Sequence, residues 1–478
     1  MGTGIKSTGS LVAALLWLFV IAAPGPARGL ELKAGAAKAV ITPDPYTPRI
    51  TVMGNMSTGV NHDLYARVLS LNDGQKRMII VTYDLNCLDV ATPILRSRCR
   101  HELGIEPAYL VLMATHNHAA PIQIVPANFD YGRWLAERLF ALIKEAIANE
   151  QGPAKLMFGS GRGAFLRSDP RYPSIYGFRG QAIDDEVQVL KVMRGDQVAA
   201  LLFNQPTHPM QESFRKLGVG HPGFALDEIE QRMPGTLALY ADACGADQFA
   251  RRGLVMWAPL PMVKSIAHQL ADTVLKISAG PMQDVTGPIN SKLEVISLPL
   301  APPLSYDEAL QLVQKEKIPT DIGLAPYPHP DRESNWIRSL LMHYQQKIPF
   351  PTRTADRICT DDAFLVPKLE EPREFPCVYE ETIVARIGPM ILVAMQGEVC
   401  APIGLKIKDA FRDQMPVMLF AYMGEHNLYI PTRDLVLKNA YQSQVIQIQY
   451  ASPVGWAPEV EEEMENGVIA MIKSILIE

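Results

Sequence analysis

A chain of 478 residues, 48% hydrophobic and 20% charged, suits two or three domains or one large unit with insertions, and can bury a sizeable core. A formal net charge of -6 with no basic face speaks against a nucleic-acid partner. Six cysteines with no CxxC pair speak against a disulfide scaffold and a cysteine zinc site, and thirty-eight prolines favour ordered loops over long helices.

The N-terminus reads as a targeting segment. Lys6 precedes an apolar run from Leu11 to Ala23, and Ala27-Arg28-Gly29 offers small residues for cleavage. The run is short for a membrane span. The expectation is a signal peptide over residues 1–29 and a secreted or periplasmic mature chain, with an uncleaved anchor as the alternative.

The first strand falls within 31–44, and the Pro-, Gly- and Asn-rich stretch 44–60 is a loop. Strands at 68–71 and 78–83 flank the turn Asn72-Asp73-Gly74, with Asp84 at the end of the second. A helix over 94–103 leads to the strand Leu110-Val111-Leu112-Met113-Ala114-Thr115, which ends in His116 and His118. If that strand continues, positions i and i+2 share a face, so both rings project together. Such a pair is either half of a metal or catalytic site or two loop histidines satisfied by backbone and water. A helix over 131–150 follows, then strands at 154–167 and 186–203, the second running into Thr207-His208-Pro209.

Further on, a helix at 224–233 and a strand at 236–240 precede the turn Cys244-Gly245-Ala246-Asp247-Gln248. There backbone amides either approach a ligand or close a tight turn. A helix at 261–279 starts on Pro261. Residues 300–375 break the pattern with helices at 306–317 and 334–346 among prolines, and read as an insertion over the core. Ile337, Leu340, Leu341 and Tyr344 form an apolar stripe that either packs on the core or lines an entrance. Cys359 and Cys377 flank a loop there and either bridge or stay as thiols. Strands at 381–387 and 390–395 lead to Glu398, a helix at 403–412 to a strand at 417–423, and a helix closes the chain at 459–477. The alternation defines an α/β fold: a mixed sheet core with surrounding helices and a site at strand ends. No internal repeat is visible.

Seven fragments in order carry a resemblance. They are Ala34 to Pro43 (AGAAKAVITP), His62-Asp63-Leu64-Tyr65-Ala66-Arg67, Thr115-His116-Asn117-His118, Thr207-His208-Pro209, Cys244 to Gln248, Gly397-Glu398, and Tyr429-Ile430-Pro431-Thr432. With them the chain resembles the neutral/alkaline, non-lysosomal ceramidases, zinc amidohydrolases that cleave N-acyl sphingoid bases. The resemblance runs from about residue 33 onward and is weakest over 300–375. It implies one Zn2+ per chain, held by His116, His208, Glu398 and Tyr429. It also implies a proton-transferring role for His118, an oxyanion donor in Tyr441, and a substrate-orienting Arg167. The substrate would be ceramide, cleaved to sphingosine and fatty acid, or another N-acyl amide, with peripheral membrane contact as an option; oligomeric state stays open. Chemistry agrees in kind: two imidazoles and a carboxylate at strand ends suit zinc and leave room for water.

The departures are Leu166 for the family's asparagine before Arg167, Leu428 for the usual glycine before Tyr429, and Gly220-His221-Pro222-Gly223 at an altered turn. Residues 30–478 would form one catalytic domain, without the C-terminal β-sandwich of well-known ceramidases. Tyr441 as a packed aromatic and Arg167 as a surface charge are the plain alternatives. His221 reads as a supporting residue, Glu425 and His426 as loop residues, and His101, His268, His329 and His343 as lacking partner spacing. A zinc hydrolase of a smaller amide or ester, or an inactive binding protein on the same fold, are the competing functions.

Overall fold

The chain lays down one arrangement three times: three antiparallel strands, then a helix, then a fourth strand parallel to the third. A computed structural model describes residues 1–2, 4, 31–44, 46–163, 182–250, 257–325, 330–350, 377–425 and 428–477. Most of the expected signal peptide, Arg167, His329, Cys359 with its pairing to Cys377, and His426 lie outside the described residues.

In the first unit β1 (Lys33–Val40), β2 (Tyr65–Asn72) and β3 (Arg77–Tyr83) pair antiparallel. Helix α1 (Ala91–Leu103) crosses to β4 (Leu110–Ala114), parallel to β3, and α2 (Phe129–Ala148) covers the sheet. The second unit repeats this with β5 (Ala154–Arg162), β6 (Glu186–Arg194), β7 (Gln197–Gln205), α3 (Gly220–Arg232) and β8 (Leu237–Asp242). Helix α4 (Leu260–Ala279) packs on α3, and β9 (Gln283–Asp284) joins the edge of β5.

The third unit begins with β10 (Ile289–Pro299). The insertion follows, with α5 (Tyr306–Glu316) and α6 (Asn335–Gln345), before the unit resumes in β11 (Cys377–Ile387) and β12 (Met390–Met395). The short β13 (Glu398–Val399), α7 (Ala401–Asp409) and β14 (Val417–Phe420), parallel to β12, complete it. β15 (Tyr429–Ile430) pairs parallel with β13. Helices α8 (Arg433–Leu437), α9 (Tyr441–Ile448) and α10 (Val460–Ile477) close the chain, α10 lying across β10 and β11.

The recurrence escaped the sequence because the units share a pattern of alternation and few residue identities. Each sheet is buried on both faces, as its near-continuous apolar strands require. Ile79, Val81 and Leu112 face α1 and α2, while their neighbours Met78, Ile80 and Val111 face inward. Leu190, Val192 and Leu202 of the second sheet and Ile383, Leu392 and Phe420 of the third meet them in one shared core. Cutting a fully buried side chain such as Ile80 to alanine would cost about 2–5 kcal/mol. Backbone hydrogen bonds also join the units: Ala114 N–H donates to Tyr422 O, Gly424 N–H to Leu112 O, and Ala421 N–H to Asp242 O.

The apolar stripe of the insertion faces inward. Ile337, Leu340 and Leu341 are buried with Ala309, and Tyr344, Val313 and Phe350 pack against them, in a small core of the helix pair's own. The entrance reading of that stripe is therefore not supported. Through α6 the pair touches α9, the helix that begins at Tyr441. Among the described residues no helix is long and apolar enough to cross a membrane.

Candidate metal centre

The three units converge with the C-terminal ends of their strands together. β4 stops at Ala114, one residue short of the expected strand, and the backbone then turns. His116 adopts a left-handed conformation, φ 54°, which costs a non-glycine residue of order 1 kcal/mol or more. The two histidines meet, but through this turn and not through strand alternation: His118 Nε2 stands 3.0 Å from His116 Nε2. Asn117 between them pins the turn. Its Nδ2 donates to Asp84 O at 2.9 Å and Gly218 O at 2.7 Å, and its Oδ1 accepts from Ala119 N–H.

From the second unit, β7 delivers His208. Its Nδ1 is 3.1 Å from Gly245 O, and its backbone N–H donates to Gln248 O. The turn from Cys244 to Gln248 thus approaches protein backbone. A Cβ on Gly245 would lie 2.3 Å from Thr207 N, so only glycine lets the two segments close. Asp242, fully buried at the end of β8, accepts from Thr207 N–H and Ala243 N–H, and burial pushes its carboxyl well above the usual range. From the third unit come Glu398 and Tyr429, side by side as registered partners of β13 and β15.

The donor atoms now stand close. Glu398 Oε2 lies 3.4 Å from His116 Nε2 and 3.5 Å from His208 Nε2, and Tyr429 Oη lies 3.0 Å from His208 Nε2. Ligands about 2.0–2.1 Å from a tetrahedral zinc are themselves about 3.3 Å apart, so these separations fit the edges of such a site. Glu398 Oε2 is buried and receives no aligned hydrogen bond, as a carboxylate reserved for a cation would be. Burial raises the Glu398 carboxyl, but the imidazoles of His116 and His208 outweigh it and hold it well below the usual carboxylate range. His116, His118 and His208 are all buried, with ligand atoms within 4.8 Å of one another. Distance alone therefore does not separate His118 from the ligand set.

Tyr441 opens α9 and meets the Tyr429 ring edge-on, centroids 5.8 Å apart, while Gln449 Nε2 donates to its oxygen at 2.9 Å. The structure thus brings together six of the seven expected site residues, Arg167 lying outside the described residues. Several neighbours went unforeseen. Asn86 sits 2.9 Å from His116 Nδ1, Tyr422 packs its ring 4.1 Å from His116 with φ 57°, and Phe249 stacks on His208 at 5.1 Å. A residue just beyond β3, the counterpart of the ligand position after β7, was the available signal for Asn86.

His221 is buried on the first turn of α3. Its Nδ1 accepts from Met210 N–H at 2.9 Å while its backbone N–H donates to Met210 O, which anchors the segment just after His208. Burial pushes its pKa down to about 3. His268, which lacks partner spacing in the sequence and reads as a surface or satisfied residue, sits on the surface between Glu228 and Asp272, where Arg232 donates to both carboxylates. Glu425 is a loop residue as expected, and is buried.

A mixed α/β fold with a buried group of histidines able to hold a metal ion is what the chain presents. That fold is shared with solved ceramidases: the neutral ceramidase from Pseudomonas aeruginosa (TM-score 0.64, 15% identity, 93% of this chain and 75% of that one) and a ceramidase complexed with C2 (TM-score 0.65, 14% identity, 93% and 76%). At these identities the likeness is one of fold. No protein-family model matches the chain, and no curated protein matches it.

Proposed function

We propose that the protein is a zinc-dependent amidohydrolase acting on N-acyl sphingoid bases or closely similar lipid amides. The observation that carries this reading is the convergence of His116, His208, Glu398 and Tyr429 at zinc-like separations, with His118 3.0 Å from His116, on a fold shared with ceramidases. Bound zinc would polarise the amide carbonyl and lower the pKa of a water towards about 7.

The chain's own residues supply the rest. Two imidazoles and a carboxylate offer the ligands, with Tyr429 beside them. His118 takes the proton of the attacking water and returns it to the leaving amine. Tyr441 donates to the oxygen on which charge develops. Arg167 retains a substrate-orienting role from the resemblance alone. Export is part of the proposal, supported by Lys6 and the apolar run after it; mass determination of the mature N-terminus checks it.

The deciding experiment incubates zinc-loaded protein with ceramide and with a panel of short N-acyl amides. Release of fatty acid and sphingosine from ceramide, cut about 10²–10⁴-fold in His118→Ala, is the expected result. Turnover of short amides alone would transfer the reading to a non-lipid amidohydrolase, and no turnover of either would end it.

A further inference from the structure

His116 and His208 face the same cluster but are held from behind by different groups. Behind His208 stands Gly245 O, 3.1 Å from Nδ1. A carbonyl oxygen only accepts, so Nδ1 carries the ring proton and Nε2 presents a lone pair towards Glu398 and Tyr429. Behind His116 stands the side-chain amide of Asn86, with its Nδ2 placed 2.9 Å from His116 Nδ1. An amide can face a ring nitrogen in two ways. Its NH2 would donate to Nδ1 and send the ring proton to Nε2. Its carbonyl oxygen would accept from Nδ1–H and leave Nε2 bare. The two ends have one shape, and only the surrounding network distinguishes them. Among the described residues no other hydrogen bond of the buried Asn86 side chain fixes its orientation.

The surroundings rule out escape by rotation. The Tyr422 ring packs 4.1 Å from the His116 ring, and a half-turn of the imidazole would carry Nδ1 away from Asn86 and Nε2 away from Glu398. The choice is therefore one of tautomer. The amide and the histidine are delivered together: Asn117 N–H donates to Leu85 O, next to Asn86, and Asn117 Nδ2 to Asp84 O.

We infer that Asn86 turns its carbonyl oxygen to His116 Nδ1 and so sets the tautomer that leaves Nε2 able to bind a metal ion. Asn86 is then a positioning residue of the centre, matching by side chain what Gly245 does for His208 by backbone. With the proton on Nε2, His116 would point a donor at the cluster, and the pair of equivalent imidazole ligands would be lost. The inference rests on the metal reading proposed above.

The test uses the full chain as wild type, Asn86→Leu and Asn86→Asp, labelled with 15N-histidine. Zinc affinity is read by competition with a chromogenic chelator, and the His116 ring nitrogens by their 15N shifts in metal-free protein. Leucine fills the space but accepts nothing, and should weaken zinc binding about 10–100-fold, as loss of such partners does. Aspartate, which only accepts, should keep wild-type affinity or exceed it. Metal-free wild type should show a protonated Nδ1 and a bare Nε2. Asn86→Leu binding zinc as tightly as wild type, Asn86→Asp losing as much as Asn86→Leu, or a protonated Nε2 in wild type would each overturn the inference. Failure of wild type to take up zinc would defeat the metal reading instead, and the 15N shifts would still decide which end of the amide faces the ring.

Discussion

His221 offers a measurement that isolates one buried ring. Its pKa is pushed from 6.5 down to about 3 by burial, and its Nδ1 must stay unprotonated to accept from Met210 N–H. Below 6.5 the unfolded chain takes up a proton that the folded chain refuses. Stability contributed by the neutral ring is therefore complete above 6.5 and falls steadily as pH drops towards 3. Each pH unit in that window is worth about 1.4 kcal/mol per proton, so acidifying from neutrality to pH ~4.5 should cost about 3 kcal/mol through this ring alone. His221→Asn places an amide oxygen near the Nδ1 position and cannot titrate there. Its lost volume destabilises equally at both pH values. Urea unfolding of both proteins at pH ~7 and ~4.5, with chelator throughout, gives four stabilities, and the wild type should lose about 3 kcal/mol more on acidification than the variant. Equal losses would refute the assignment of His221 as a buried neutral anchor.

Other outcomes follow from the same structure. His116→Ala and His208→Ala should lose zinc and activity together, read by elemental analysis and turnover, whereas wild type should carry one zinc per chain. His118→Ala should retain zinc and lose about 10²–10⁴-fold in turnover; loss of zinc as well would move His118 into the ligand set that its distances allow. Leu341→Asp places a charge in the small core between α5 and α6 and should melt that pair by circular dichroism. Its cost should exceed the roughly 2–5 kcal/mol of a leucine truncation. Because α6 touches α9, short and long amides should then lose turnover alike.

What could be read from the sequence was whatever lay within one stretch of chain. Apolar strands ending in His116, His208 and Glu398 announce donors by local grammar, and the order of fragments suggested which would meet. The left-handed turn at His116 left no such mark, because histidine rarely adopts that conformation and the carbonyls that Asn117 binds to hold it, Asp84 O and Gly218 O, lie in other segments. Tyr422 was silent for a similar reason, and Asn86 was marked only by its place just beyond β3. Each acquires its role only when the first and third units dock, and neither residue type is diagnostic of a metal site by itself. The helix pair of the insertion illustrates the opposite limit. Its stripe was visible at helical spacing, but a stripe does not say what covers it, and the answer was the neighbouring helix.

The threefold arrangement means that no single sheet owns the centre. His116 hangs from the first unit, His208 from the second, and Glu398 with Tyr429 from the third. In an unfolded chain these four residues are remote from one another, so an ion would have to close long loops to gather them. Affinity for an ion is then a readout of how the sheets dock, and an ion that binds only the docked state stabilises it by mass action. By the same reciprocity, a substitution deep in the shared core, at Met78 or Phe420, can loosen the ion without touching a ligand.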